Sequence, residues 1–184
     1  MSGLAHAPPS GAVAVRYSGY GVDNPGGFFM ADAAKPSWIV RIPTPIWLIL
    51  LVIVALVADL LFTLPVLVQY KPAGIALIVL GFAFSGWGRL TFRNHGAEIF
   101  PWSEAHSTLV AAGPFRFTRN PMYLGIAVIG LGAALLAGTW LMWIVPIAIF
   151  ALDNFLIIPF EERSMERACG DAYRAYKARV RRWI

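Results

Sequence analysis

The chain has 184 residues, of which 58% are hydrophobic and 14% charged, with a mean hydropathy of +0.65. Soluble domains carry about 25% charged residues, so an ordinary water-soluble globule is excluded and one compact membrane domain is expected. The net charge of +5 serves no soluble module with interleaved aromatics, so no nucleic-acid partner is expected; the lone Cys169 excludes an intramolecular disulfide framework, and His6, His95 and His106 are too scattered to bind a metal.

Residues 1–43 are rich in Ala, Gly and Pro and carry no basic segment leading into an apolar one. They read as a flexible arm near the membrane and not as a cleavable signal peptide, leaving residues 44–184 as a single membrane domain. The first apolar run, residues 45–64, is long enough to cross a hydrocarbon core of about 30 Å. It contains one acid, Asp59, expected to pair with Arg89 or to lie near the far interface rather than to be a functional acid inside a span. After a turn at Gln69-Tyr70-Lys71-Pro72, residues 73–90 form a second span. Its GFAFSGWG stretch has no strand before it and no βαβ context, so its small residues are read as letting helices approach closely.

Residues 91–120 form a long polar connection containing Arg93, His95, Glu98, Glu104 and His106. A connection of that length in a small membrane protein is functional or disordered. It ends in the stretch that organises the chain, Gly113-Pro-Phe-Arg-Phe-Thr-Arg-Asn-Pro-Met-Tyr-Leu-Gly125. Gly113-Pro114 reads as a turn, and Asn120-Pro121 as a helix start, with the Asn side chain capping free N–H groups and Pro in the first helical position. A cationic loop with Arg116 and Arg119 thus ends where the chain enters the membrane.

Residues 121–160 are two spans, because forty helical residues would run about 60 Å. The reversal is expected at Ala137-Gly138-Thr139, giving spans 121–137 and 139–160, with Pro146 a candidate kink and Asp153-Asn154 either lining a polar cavity or held structurally. From Glu161 to Trp183 the character changes. Met165, Cys169, Tyr173, Tyr176, Val180 and Trp183 recur at helical spacing while the charges lie off that stripe, which predicts one amphipathic helix over 161–183 at the membrane surface. With four spans and the N-terminus inside, every Lys and Arg except Lys71 falls on one side, so both termini and both polar motifs are expected in the cytoplasm, at the plasma (inner) membrane.

The GPFRFTRNPMYLG stretch, followed about forty residues later by Glu161-Glu162 and then Gly170-x-x-Tyr173-x-x-Tyr176, resembles the isoprenylcysteine carboxyl methyltransferase family and the related phospholipid N-methyltransferases. The resemblance covers roughly Arg93 to Arg182. It implies an all-α membrane protein of about four transmembrane helices with a C-terminal amphipathic cytoplasmic helix, using S-adenosylmethionine to methylate a small or lipid-like acceptor reached from the bilayer. It further implies that the donor is held by Ser107, Thr108, Leu109, Val110, Phe115, Asn120, Pro121, Met122, Tyr123 and Glu161. The prenylcysteine enzymes carry His at the position of Asn120 and Tyr at that of Phe115, so the Asn-Pro-Met-Tyr form is closer to the phospholipid enzymes. They also place a substrate-binding Arg where this chain has Ile157, which puts prenylcysteine as acceptor in doubt.

Read from the residues, in-line methyl transfer asks the protein to orient two reactants and exclude water. Arg119, Tyr123 and Glu162 are the candidate catalytic groups: a cation for a carboxylate, an aromatic wall for a sulfonium, and a base for an acceptor that needs one, a part for which Glu162, His106 and Tyr123 are all open. The alternatives are an NADPH-dependent membrane reductase related to the sterol reductases and a non-enzymatic tetraspan protein. The acceptor and the oligomeric state are not legible in the sequence.

Overall fold

The computed structural model describes Val15–Arg16, residues 38–95 and residues 108–184. Within these the protein is a helical bundle. A short helix α1 (Trp38–Arg41) leads into α2 (Thr44–Phe62), followed by α3 (Lys71–Asn94), α4 (Pro121–Ala137), α5 (Trp140–Leu152) and α6 (Ile158–Arg179). A single π turn, Asp153–Ile157, joins α5 to α6 without interrupting the rod. The other regular pieces are a 3₁₀ turn at Gly113–Arg116 and a two-residue pairing of β1 (Val15–Arg16) with β2 (Thr108–Leu109).

Three helices are long and apolar enough to cross a membrane: α2, α3 and the rod that begins at Trp140. The fourth apolar helix, α4, is shorter, with 17 residues. The expected reversal after residue 137 is present, with Gly138 closing α4 in a left-handed conformation. At that end of the bundle the 63–70 segment runs back over the hairpin. Gln69 donates to the carbonyls of Leu136 and Ala137 at 3.0 and 3.1 Å, and the backbone N–H of Leu67 to Gly138 at 2.9 Å. These bonds satisfy carbonyls that the end of a helix leaves without partners.

The core of the bundle is apolar and shared by α2, α4 and α5, through Leu48 and Ala55, Ile126 and Ala134, and Met142, Val145 and Ile149. By contrast, α3 packs on α4 through glycine. A Cβ built on Gly81 would lie 2.6 Å from the Gly125 carbonyl oxygen, and one on Gly125 equally close to the Gly81 oxygen; Gly74 and Gly132 repeat the contact one heptad away at 2.8 and 2.7 Å. The glycines of the second span therefore serve close helix approach, as the sequence predicts. Gly86 is the exception, with open space around it.

Several expectations are corrected. The second span begins at Lys71 and runs to Asn94, so part of the expected connection is helix; residues 96–107, with Glu98, Glu104 and His106, lie outside the described residues, as does most of the expected arm. Of the two places expected for Asp59, the pairing with Arg89 is not made, because Asp59 sits in the last turn of α2 and Arg89 near the far end of α3; its position at the end of α2 fits the other, near the far interface. The helix expected over 161–183 ends at Arg179, and it is not one helix. Gly170 takes φ 51° and ψ −125°, a conformation open only to glycine, and bends the chain sharply. Glu162 and Lys177 would stand about 22 Å apart along a straight helix. Their charged atoms are 3.7 Å apart, and those of Glu166 and Lys177 are 2.8 Å apart.

Candidate functional site

The site grows from the loop before α4. Residues 113–116 form the 3₁₀ turn, which seats the buried Phe115 ring on Phe92 of α3 with centroids 4.7 Å apart. The Phe115 carbonyl accepts a hydrogen bond from the Tyr176 hydroxyl at 2.8 Å. Burial pushes the Tyr176 phenol well above its ordinary value, so the hydroxyl stays protonated and remains a donor. The bend at Gly170 is what brings Tyr173 and Tyr176 here. They share a buried cluster with Cys169 and with Leu109 from β2, backed by Met165 and Val180, so most of the predicted apolar stripe is realised as a core.

The chain after α6 supplies a strap that sequence reasoning missed. Having left the helix at Val180, it runs past the loop. The backbone N–H of Arg119 donates to the Arg181 carbonyl at 3.0 Å, while the Thr118 hydroxyl and the Asn120 side-chain amide both donate to the Arg182 carbonyl at 3.0 Å. Trp183 pins the strap by lying against Phe150, centroids 4.8 Å apart, and by donating to Asn154 at 3.0 Å. Asn120 does precede Pro121 at the start of α4, as expected, but its side chain does not cap that helix. Its amide is committed to Arg182, and the first turn of α4 has no side-chain cap.

The two adjacent glutamates face different partners. Glu162 is buried and its carboxylate is tied by Arg119 at 2.9 Å, by Arg182 at 2.8 Å and more loosely by Lys177 at 3.7 Å. The Glu162 carboxylate raises the Arg182 guanidinium above its ordinary value. Removing one partner of a buried pair costs about 3–5 kcal/mol, so this knot fixes the loop, the helix and the strap relative to one another. Glu161, one residue earlier, instead accepts a hydrogen bond from the Tyr123 hydroxyl of α4. Arg119 also donates to the Lys177 carbonyl at 3.2 Å, and its Nε is buried with no hydrogen-bond partner.

The structure thus gathers Phe115, Arg119, Asn120, Tyr123, Glu161 and Glu162 at one end of the bundle, with Leu109 and Val110 buried beside them. Pro121 and Met122 lean on α3 at Gly88, and the Met122 carbonyl accepts from Ser85 at 3.3 Å. Thr108 is in β2, while Ser107 lies outside the described residues. Thr118 and Arg182 are the residues that sequence spacing did not place; Asp153, expected either to line a polar cavity or to be held structurally, is buried and accepts a hydrogen bond from Thr44. Among the described residues no group of three His, Cys, Asp or Glu side chains is arranged to hold a metal ion.

Chemically, the uncapped turn of α4 offers N–H groups to an anionic or polar ligand atom, and Glu161 offers a carboxylate to a cationic one. A family model described as phospholipid methyltransferase matches residues 70–172, more than half of the chain and all of α3, α4 and α5. The chain belongs to the phospholipid methyltransferase family. Two relatives of this member of the family are informative. An uncharacterized protein of Haemophilus influenzae is 40% identical over 63 residues, which is 34% of this chain and the whole of that one. Methanethiol S-methyltransferase 1 of Bradyrhizobium diazoefficiens is 28% identical over 125 residues, or 61% of this chain and 43% of that enzyme. The chain therefore spans less than half the length of the Bradyrhizobium enzyme. No solved structure matches.

Proposed function

We propose that this methyltransferase-family protein transfers a methyl group from S-adenosylmethionine to a lipophilic or small acceptor at the cytoplasmic face of the plasma (inner) membrane. The observation that carries the reading is the Tyr123–Glu161 hydrogen bond beside the uncapped first turn of α4. A donor with a carboxylate, an ammonium and a sulfonium needs both signs of partner, and the site provides both. When bound, S-adenosylmethionine supplies an electrophilic methyl carbon on a cationic sulfur. The α4 N–H groups and the buried, unpartnered Nε of Arg119 suit its carboxylate. Glu161 suits its ammonium or ribose hydroxyls, and the Tyr123 ring gives its sulfonium an aromatic wall. Phe115 and residues 107–110 are proposed to close the adenosine side.

Arg119 and Glu162 act in this proposal mainly as positioning residues. Both Glu162 oxygens are engaged by guanidinium groups, which makes it a poor base for the acceptor. The four-span reading, with α4 as the shortest span, puts the site at the positively charged end of the bundle and leaves α2 and α3 to meet lipid. The methanethiol enzyme among the relatives supports an S–H compound as one acceptor class.

Calorimetric titration of the detergent-purified protein with S-adenosylhomocysteine tests the reading, with NADPH as comparison ligand. Saturable binding that falls at least tenfold in Glu161→Gln is expected. Stabilisation by NADPH with no response to S-adenosylhomocysteine would replace the methyltransferase reading with a reductase.

A further inference from the structure

Asp153 opens the π turn between α5 and α6 and is completely buried. One of its oxygens, Oδ1, accepts a hydrogen bond from the Thr44 hydroxyl of α2 at 2.9 Å. The other, Oδ2, is buried and has no hydrogen-bond partner. Among the described residues no cation forms an ion pair with it. A buried carboxylate oxygen with nothing to bind is expensive, and such a group calls for an explanation. The groups that face Asp153 from the packed elements are Thr44 of α2, Tyr123 of α4 and Glu161 of α6; the last two lie within electrostatic range of its carboxylate. Asp153 therefore lies close enough to the Tyr123–Glu161 pair of the proposed donor site to interact with its charge. π turns, which displace side chains from the regular helical register, recur at functional sites.

We infer that Asp153 Oδ2 is the proton acceptor for the methyl acceptor, and that it restricts acceptors to headgroups carrying an S–H or N–H hydrogen. The inference rests on the methyl-transfer reading above. An S–H or N–H group supplies the hydrogen bond that Oδ2 lacks. A carboxylate acceptor would instead add a third anion beside Asp153 and Glu161, and Ile157, buried at the other end of the same π turn, offers it no cation. As the acceptor sulfur or nitrogen forms its bond to the methyl carbon, the carbon–sulfur bond of the sulfonium breaks and its electron pair stays on that sulfur. The acceptor's proton, lost from S–H during attack or from the new ammonium after it, moves to Oδ2. The positive sulfonium and the negative carboxylate are neutralised together, and the proton returns to water when the product leaves.

The test uses the full chain in detergent, S-adenosylmethionine, and an alkanethiol, an alkylamine and an alkanoate of equal chain length. The wild type is expected to methylate the thiol or the amine and to leave the alkanoate unmethylated. Asp153→Asn is expected to keep S-adenosylhomocysteine affinity but to lose about 100-fold or more in turnover of the alkanethiol, the usual size of a general-base contribution. It should recover on an aryl thiol, which is ionised before it binds. Independently of turnover, the thiol or the amine should raise the melting temperature of the S-adenosylhomocysteine-loaded wild type and leave that of Asp153→Asn unchanged. Alkanethiol turnover at the wild-type rate in Asp153→Asn would overturn the inference. So would wild-type methylation of the alkanoate at a rate matching the other two, which decides the matter even if the variant fails to fold. If the wild type does not bind S-adenosylhomocysteine, the methyl-transfer reading itself fails and takes this inference with it.

Discussion

Two neighbouring glutamates with nearly the same chemistry face opposite tasks, and their surroundings separate them. Glu162 answers two guanidinium groups and holds the polar end of the bundle together; Glu161 answers a phenol at the mouth of α4. Glu162→Ala should therefore cost about 3–5 kcal/mol of stability by stranding Arg119 and Arg182, read as a lower midpoint in thermal or denaturant unfolding. Glu161→Gln should leave that midpoint within about 1 kcal/mol, because a neutral amide oxygen still accepts from Tyr123, while ligand affinity falls. Equal losses of stability in the two variants would contradict the division. Sequence spacing put both residues near the site, but which carboxylate meets which partner depends on the bend at Gly170 and on a strap that carries no motif. Asn120 shows the same limit. Its position before Pro121 is legible, whereas the destination of its side chain is set by Arg182, 62 residues away.

At the scale of elements, apolar runs and turn residues defined most helices to within a few residues, because hydrophobic length and proline position are local signals. The bend in α6 was not read, although its residue was in view. A lone glycine in a helical pattern is usually tolerated, and it takes the backbone angles of Gly170 and the ion pairs across it to reveal that the chain turns back. Gly170→Ala should cost about 1–3 kcal/mol of backbone strain and draw Tyr176 off the Phe115 carbonyl. A lower unfolding midpoint, with increased fluorescence quenching of the tyrosines by acrylamide, would report it. In the α3–α4 seam, Gly81→Ala and Gly125→Ala each press a methyl group to 2.6 Å from a carbonyl oxygen and should lower the yield of folded protein in gel filtration. Gly86→Ala, in open space, should behave as wild type; a comparable loss there would mean that glycine content, and not helix contact, limits folding.

Over the whole molecule, the first half of the chain builds lipid-facing helices and the second half builds the site, yet the site is closed by contacts that span both. Thr44 reaches Asp153 across 109 positions of sequence and Phe92 lies against Phe115, while within the second half the strap brings residues 181 and 182 back to residues 118–120. No periodicity forecasts such contacts, since they depend on how the helices assemble. Trp183→Ala removes the strap's anchor on Phe150 and Asn154 and should weaken S-adenosylhomocysteine binding several-fold while leaving the helical content of the far-ultraviolet spectrum unchanged. Unaltered affinity would mean that the strap follows the loop and does not hold it.

The glycine seam also has a genetic consequence. Every single-base missense change in a glycine codon encodes a residue with a Cβ, and at positions 74, 81, 125 and 132 a Cβ has nowhere to go. Heredity therefore has no conservative exchange to try at these four codons, and a saturation library should return them almost empty while codon 86 fills.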